Sequence, residues 1–196
     1  MKKITLFAAA FAGLSVFATA GHAQDCKAVT VEDAFDLDEA AINALYDCLK
    51  DEMAEGYAKQ GDPIGKNYRN WIVTATRPAV QGAHSNRLLL TFANPTAADQ
   101  YLKFEEEGVE MPVGSVLAKE SITVSIKKKA ARVGPLFLMT KLEKGAAPET
   151  DDWLYGGLQP NGKPMKFKQS FCHDCHIGWE DQDALAYPVE EVRVSN

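Results

Sequence analysis

Val116-Leu117-Ala118-Lys119-Glu120-Ser121-Ile122-Thr123-Val124-Ser125-Ile126 is the stretch that decides the fold class. Apolar residues return at every second position, at Ile122, Val124 and Ile126, with Thr123 and Ser125 between them. A period of two is that of a strand, not of a helix. The β-branched side chains fit a pleated surface and argue against a helical bundle. Strict alternation puts Lys119 with Leu117, Ser121 and Thr123, opposite Ile122 and Val124. On this reading Lys119 sits on the polar face of the strand.

Four further segments read as strands. Trp71 to Thr76 contains Ile72, Val73 and Thr74 and is ended by Pro78, which cannot donate to a ladder. Arg87 to Ala93 and Trp153 to Leu158 are short apolar runs, and Pro135 to Leu142 is another. Between and around them lie helices. Asp36, with Glu39 three residues on, has the form of a capping box. Leu37, Ala41, Ile42, Leu45, Leu49 and Met53 then recur at helical spacing, which predicts a helix to about Lys59 with Gly61 just past its end. Asn94-Pro95 starts a second helix, with Asn as cap and Pro at the first helical position. Ala98, Tyr101 and Leu102 give it an apolar face, and Gly108 stops it. Asn161-Gly162 is a turn, and Lys127-Lys128-Lys129 a solvated turn. The Cys172 to His176 motif follows, and then a helix through Trp179 to Ala186. Short connections favour antiparallel pairing. The expectation is an α+β fold, mainly β: one antiparallel sheet with a few flanking helices and a C-terminal attachment helix.

Lys2 and Lys3 precede an uncharged run from Ile4 to Ala20, and Gly21-His22-Ala23 has the small-x-small form of a signal peptidase site. This predicts a signal peptide over residues 1–23 and export to the periplasm, leaving a single domain over residues 24–196. The run is short for a membrane anchor, and no other stretch is long and apolar enough to span a bilayer. Losing Lys2 and Lys3 takes the net charge from −6 to −8. Such a surface repels nucleic acid and anionic lipid, and it suits a basic redox partner.

Four cysteines divide into two pairs. Cys172-His173-Asp174-Cys175-His176 is the attachment pattern for a single covalent haem c. Two thiols three residues apart span the two vinyl groups on one porphyrin edge, and His176 then offers its imidazole to the iron. A redox dithiol would open a helix in a βαβ context, and a zinc site would need a distant fourth ligand. Export and the adjacent His176 favour haem. Cys26 and Cys48 are expected to form a disulfide in an oxidising compartment, contributing roughly 3 kcal/mol on the chain-entropy account. Two separate thiols are the alternative.

No Met follows His176. A sixth iron ligand would come from upstream, where Met53, Met111, Met139, Met165 and His84 are candidates; His173 lies inside the tethered loop and is poorly placed. The pattern points to a five-coordinate iron with one open position, whose surroundings decide between storage, activation and electron transfer. A six-coordinate electron-transfer cytochrome c stays open as the alternative.

Several segments resemble the cytochrome P-460 and cytochrome c′-β family: Asn67-Tyr68-Arg69-Asn70-Trp71; Pro112 to Glu120; Gly134-Pro135-Leu136-Phe137-Leu138-Met139; Asp152-Trp153-Leu154-Tyr155; and Cys172 to His176. Their order and spacing carry the resemblance. It implies a mostly antiparallel β fold with haem against the sheet, in a protein that is often a homodimer. It also implies two divergent activities. One branch oxidises hydroxylamine and bonds a lysine to the porphyrin; the other binds nitric oxide or carbon monoxide in a Phe-lined apolar pocket. Lys119 matches the cross-linking lysine of that Val-x-x-Lys-Glu segment. Hydroxylamine oxidation needs a proton acceptor, expected just before the attachment motif. Trp153 to Phe171 contains no Asp or Glu, offering Lys163, Lys166, Lys168 and Gln169 instead. Phe92, Phe104, Phe137, Phe167 and Phe171 are candidates for an apolar pocket.

Overall fold

The computed structural model describes residues 25–194. The expected signal peptide over residues 1–23 lies outside them. Helices α1 (Glu39–Ala58), α2 (Pro63–Asn67), α3 (Pro95–Tyr101) and α4 (Gln169–His176) surround seven strands. These are β1 (Ile72–Val73), β2 (Ala79–Gln81), β3 (Arg87–Ala93), β4 (Val116–Ser125), β5 (Ala130–Val133), β6 (Leu136–Lys141) and β7 (Trp153–Leu158). All pair antiparallel in one sheet, ordered β1-β3-β4-β6-β7. The fold is α+β, mainly β.

β1 and β2 both lie along β3, and β5 and β6 both lie along β4. Each couple is one lane broken in the middle. Pro78 breaks the first. Gly134-Pro135 breaks the second, where the Gly134 N–H donates to the Ser121 carbonyl at 2.8 Å. A Cβ on Gly134 would stand 2.3 Å from Ser121 Oγ, so only glycine fits there. The sequence patterning gives no sign of β2 and β5, which are too short for alternation to register.

α1 packs on one face of the sheet. Ile42, Leu45, Leu49, Met53 and Tyr57 are buried there, as helical spacing requires, against Leu88, Leu90, Ala118, Ile122 and Leu136. Its N-cap is Asp38, whose side chain accepts from the Ala41 N–H at 2.8 Å. The expected cap, Asp36, lies instead in a 3-10 turn capped by Asp33, and the extended Leu37 resets the chain before α1 begins. Gly61, at φ 84°, follows the helix end. Cys26 and Cys48 form a disulfide that fixes the segment before α1 to the helix.

The other face of the sheet carries a second core. Tyr101, Met111, Leu117, Met139, Trp153 and Leu185 are buried in it. α3 ends at Tyr101, well before Gly108, with Leu102 as its C-cap. Asn94 caps its start by accepting from the Ala97 N–H at 2.9 Å. The Lys127-Lys128-Lys129 turn joins β4 to β5 and is exposed.

Alternation along β4 holds, but neither face meets bulk solvent. Ala118, Glu120 and Ile122 turn towards α1; Leu117 and Lys119 turn towards α4 and the segment after it. Lys119 is only 8% exposed. Alternation places Lys119 on the expected side of the strand, but that side faces a largely apolar cavity and not solvent.

Candidate functional site

α4 brings the attachment motif to this cavity. Residues three and four apart share a helix face, so Cys172, Cys175 and His176 all border the same space. The helix is docked by a side chain, not by its own backbone. Gln169 Oε1 accepts from the Tyr155 N–H at 2.7 Å, and Gln169 Nε2 donates to the Tyr155 carbonyl at 2.9 Å. The carboxamide thus acts as a strand partner along the free edge of β7. No pattern in the sequence marks Gln169 for this role.

His176 is 8% exposed. Its Nδ1 lies 2.6 Å from the Ala184 carbonyl oxygen. Only a protonated Nδ1 can donate to a carbonyl, so the neutral ring keeps its lone pair on Nε2, the nitrogen free for a metal. Burial, with Lys119 nearby, pushes the imidazole down to about 4, so it is neutral at pH 7.

The Ala184 carbonyl arrives there by a chain reversal. The expected helix from Trp179 to Ala186 does not form; 3-10 turns cover Ile177–Gln182 instead. Asp183 and Ala184 then take left-handed φ values of 52° and 61° and turn the chain back. Asp183 holds the reversal. Its carboxylate accepts from Lys141 Nζ at 2.6 Å and from the Met111 N–H at 2.8 Å, and its carbonyl accepts from Trp153 Nε1 at 2.9 Å. One aspartate at the end of the polar run Glu180-Asp181-Gln182-Asp183 is unremarkable in sequence, so this role was not readable there.

The cavity encloses about 490 Å³. Phe137, Leu138, Met139, Tyr155, Trp179 and Leu185 form most of its apolar wall. Two basic side chains outside α4 also line the cavity. Lys119 reaches in from β4 with no hydrogen bond or ion pair to any described residue, and burial lowers its pKa to about 8. His84 enters from the turn between β2 and β3. Its ring centroid lies 6.4 Å from that of His176 and 4.8 Å from that of Phe137. Burial, with Lys119, His176 and Arg87 adding to it, lowers its pKa to about 3.

The other candidates divide. Phe137 and Phe171 line the cavity, and so does Met139. Phe92 belongs to the α1 face, packing on Tyr68, while Phe104 packs beside Tyr101 and Tyr187. Met53 and Met111 are buried in the two cores and do not line the cavity. Among the described residues no Asp or Glu lines it either. The buried carboxylate beside Lys119 in sequence, Glu120, points the opposite way. There it meets Tyr68 Oη, Tyr46 Oη at 3.0 Å, and Arg69 Nε at 2.7 Å.

The family model described as Cytochrome P460 matches residues 65–186, more than half of the chain, including Lys119 and the attachment motif. The chain belongs to the cytochrome P460 family. No curated protein matches it. P460 membership implies a haem cofactor and small nitrogen compounds as its ligands. The residues here fit a haem. Two thiols and an imidazole with a free Nε2 border one apolar cavity, as covalent attachment and axial ligation require. The zinc alternative fits less well, because among the described residues no three His, Cys, Asp or Glu side chains group as metal ligands. Two of the resembling segments also meet in the structure. Tyr68 and Arg69 from one meet Glu120 from another, so their joint presence is a packing device behind the cavity wall.

Proposed function

We propose that this chain is an exported, periplasmic cytochrome with one haem c, bonded through Cys172 and Cys175 and ligated by His176. With that haem in place it would bind nitric oxide and related small nitrogen species. In this reading residues 1–23 are the signal peptide and residues 24–196 a single haem domain. The observation that carries it is the convergence of Cys172, Cys175 and His176 on one apolar cavity of about 490 Å³. A haem held there would supply an iron able to bind a small diatomic or hydroxylamine-sized ligand.

The chain's own residues do the rest. Gln169 fixes the attachment helix to β7. Asp183 sets the turn that presents the Ala184 carbonyl, and that carbonyl orients His176 and raises the basicity of its Nε2. Phe137, Tyr155 and Leu185 exclude water, which favours an uncharged ligand such as nitric oxide or carbon monoxide. A second reading, oxidation of hydroxylamine, is favoured by Lys119, a buried amine in the cavity with no hydrogen-bond or ion-pair partner among the described residues. It requires a bond from Lys119 to the porphyrin, a proton acceptor and a redox partner protein. A second copy of the chain, as in a homodimer, is compatible with either reading.

Reduced protein is titrated with nitric oxide and carbon monoxide, and its spectrum is compared with that of ordinary haem c. Ligand-induced spectral change with an ordinary haem c spectrum supports gas binding. A strongly red-shifted spectrum with turnover of hydroxylamine supports the oxidase. A low-spin spectrum unmoved by any added ligand leaves the electron-transfer cytochrome.

A further inference from the structure

We infer that His84 faces the haem iron from the side opposite His176, occupying its sixth position in the ligand-free protein and giving way when a small ligand binds. This rests on the haem reading above. It narrows the five-coordinate expectation to the ligand-reactive state.

Distance is the first argument. An imidazole bound through nitrogen at about 2 Å holds its centroid about 3 Å from the metal, so two such ligands on opposite sides have centroids about 6 Å apart. The His84 and His176 centroids are 6.4 Å apart. A histidine that only hydrogen-bonds to a bound ligand would stand farther off, because the ligand lies between. Partnership is the second argument. The His176 Nδ1 is bonded to the Ala184 carbonyl, which frees Nε2, while the His84 ring has no hydrogen-bond partner among the described residues. A half-buried imidazole turned into a cavity normally finds one.

The third argument is placement. Arg87 Nη1 donates to the His84 carbonyl at 2.7 Å, and Gln81 pairs with Arg87 across the base of the turn. Ser85 and Asn86 follow at φ 60° and 53°, both left-handed. Two successive non-glycine residues in that region persist only where their surroundings hold them. The turn therefore aims His84 rather than letting it drift. Being short and at the cavity rim, it is also the element that can yield. Lys119 is the rival, but it sits on the central strand β4, where it cannot withdraw when a ligand arrives.

The two imidazole planes lie at 80°. Near-perpendicular ligand planes give ferric haem a low-spin electron paramagnetic resonance signal with an unusually large g value. The test uses purified holoprotein, wild type and His84→Ala, each first shown to retain covalent haem. Wild type is expected to give the large-g low-spin signal. His84→Ala is expected to be high-spin, and added imidazole should restore a low-spin spectrum. A cap bound about nine-tenths of the time lowers ligand affinity about tenfold, so His84→Ala should bind carbon monoxide about tenfold more tightly. High-spin wild-type protein, or a low-spin signal that survives in His84→Ala, overturns the inference. If His84→Ala does not accumulate, the wild-type signal decides alone. Loss of carbon monoxide binding in both proteins, with the spin change intact, sinks the ligand-binding function and the displaceable cap but leaves the ligation.

Discussion

Arg69 balances a carboxylate that the fold has taken out of water, and removing it should expose that cost. Glu120 is 1% exposed, and Arg69 Nη2 lies 2.5 Å from its Oε1. Burial raises the Glu120 pKa, and Arg69 is the largest influence lowering it. Breaking a buried pair by deleting one partner costs about 3–5 kcal/mol. The Arg69 side chain is 26% exposed, so water already screens part of the attraction. The lower end applies, and Arg69→Met should lose about 3 kcal/mol of stability at pH 7. Tyr46 and Tyr68 still donate to the carboxylate, which keeps the loss from growing further.

The sign with pH follows from the raised carboxyl. A folded-state pKa above the unfolded value favours the protonated form, so its contribution to stability is fully present below the unfolded pKa and is lost as pH rises through the folded one. Arg69→Met raises that folded value further. The deficit of the variant should therefore be largest near neutrality and shrink as pH falls towards the ordinary carboxylate range. Pairing it with Glu120→Gln removes the unmatched charge and should recover most of the loss. Guanidinium unfolding of wild type, both single variants and the double variant, at pH 7 and pH 5, gives the coupling energy directly. A single-variant loss below about 1 kcal/mol at pH 7, or a double variant no more stable than Arg69→Met, would refute the reasoning.

Other perturbations separate structural from functional roles. Replacing Cys26 and Cys48 together by Ser should lower stability by about 3 kcal/mol, read from the shift in denaturation midpoint. Gly134→Ala forces its new methyl against Ser121 Oγ and the Ser121 carbonyl and should cost at least about 2 kcal/mol, seen as a fall in thermal midpoint. Gln169→Leu removes both hydrogen bonds between α4 and Tyr155. It should destabilise by about 1–2 kcal/mol in guanidinium, with the attachment helix exchanging its amide hydrogens faster. Asp183→Ala frees the turn carrying the Ala184 carbonyl; in ferrous His84→Ala protein, where the iron is five-coordinate, adding Asp183→Ala should lower the iron–histidine stretching frequency in resonance Raman spectra, and an unchanged frequency would remove Asp183 from that role.

The sheet was legible where a strand was long, whereas the expected strand from Trp71 to Thr76 shrinks to Ile72–Val73. Arg87–Ala93 and Trp153–Leu158 match their expected limits, and β4 differs by one residue. Capping was legible where Asn and Pro were adjacent, as at Asn94-Pro95. It was misread at Asp36 because Asp36 and Asp38 offer the same chemistry two residues apart, and only Leu37 leaving helical geometry decides between them. The attachment motif is local and could be read directly. The groups that orient it, Asp183, the Ala184 carbonyl and Gln169, act across long sequence distances or through the backbone, where side-chain identity carries no signal. Lys119 shows a different limit. Alternation gives the face of a strand correctly but says nothing of what covers that face.

The central claim is that one haem is bonded through Cys172 and Cys175. Its most direct test is the intact mass of the purified protein after acid–acetone extraction, beside a Cys172→Ser/Cys175→Ser variant. The account predicts that the wild-type chain keeps the mass of one haem and a thioether-type pyridine haemochrome spectrum, while the variant loses its haem to the solvent. A wild-type chain from which the haem extracts freely, or that carries none when expressed with haem-attachment machinery, would contradict it.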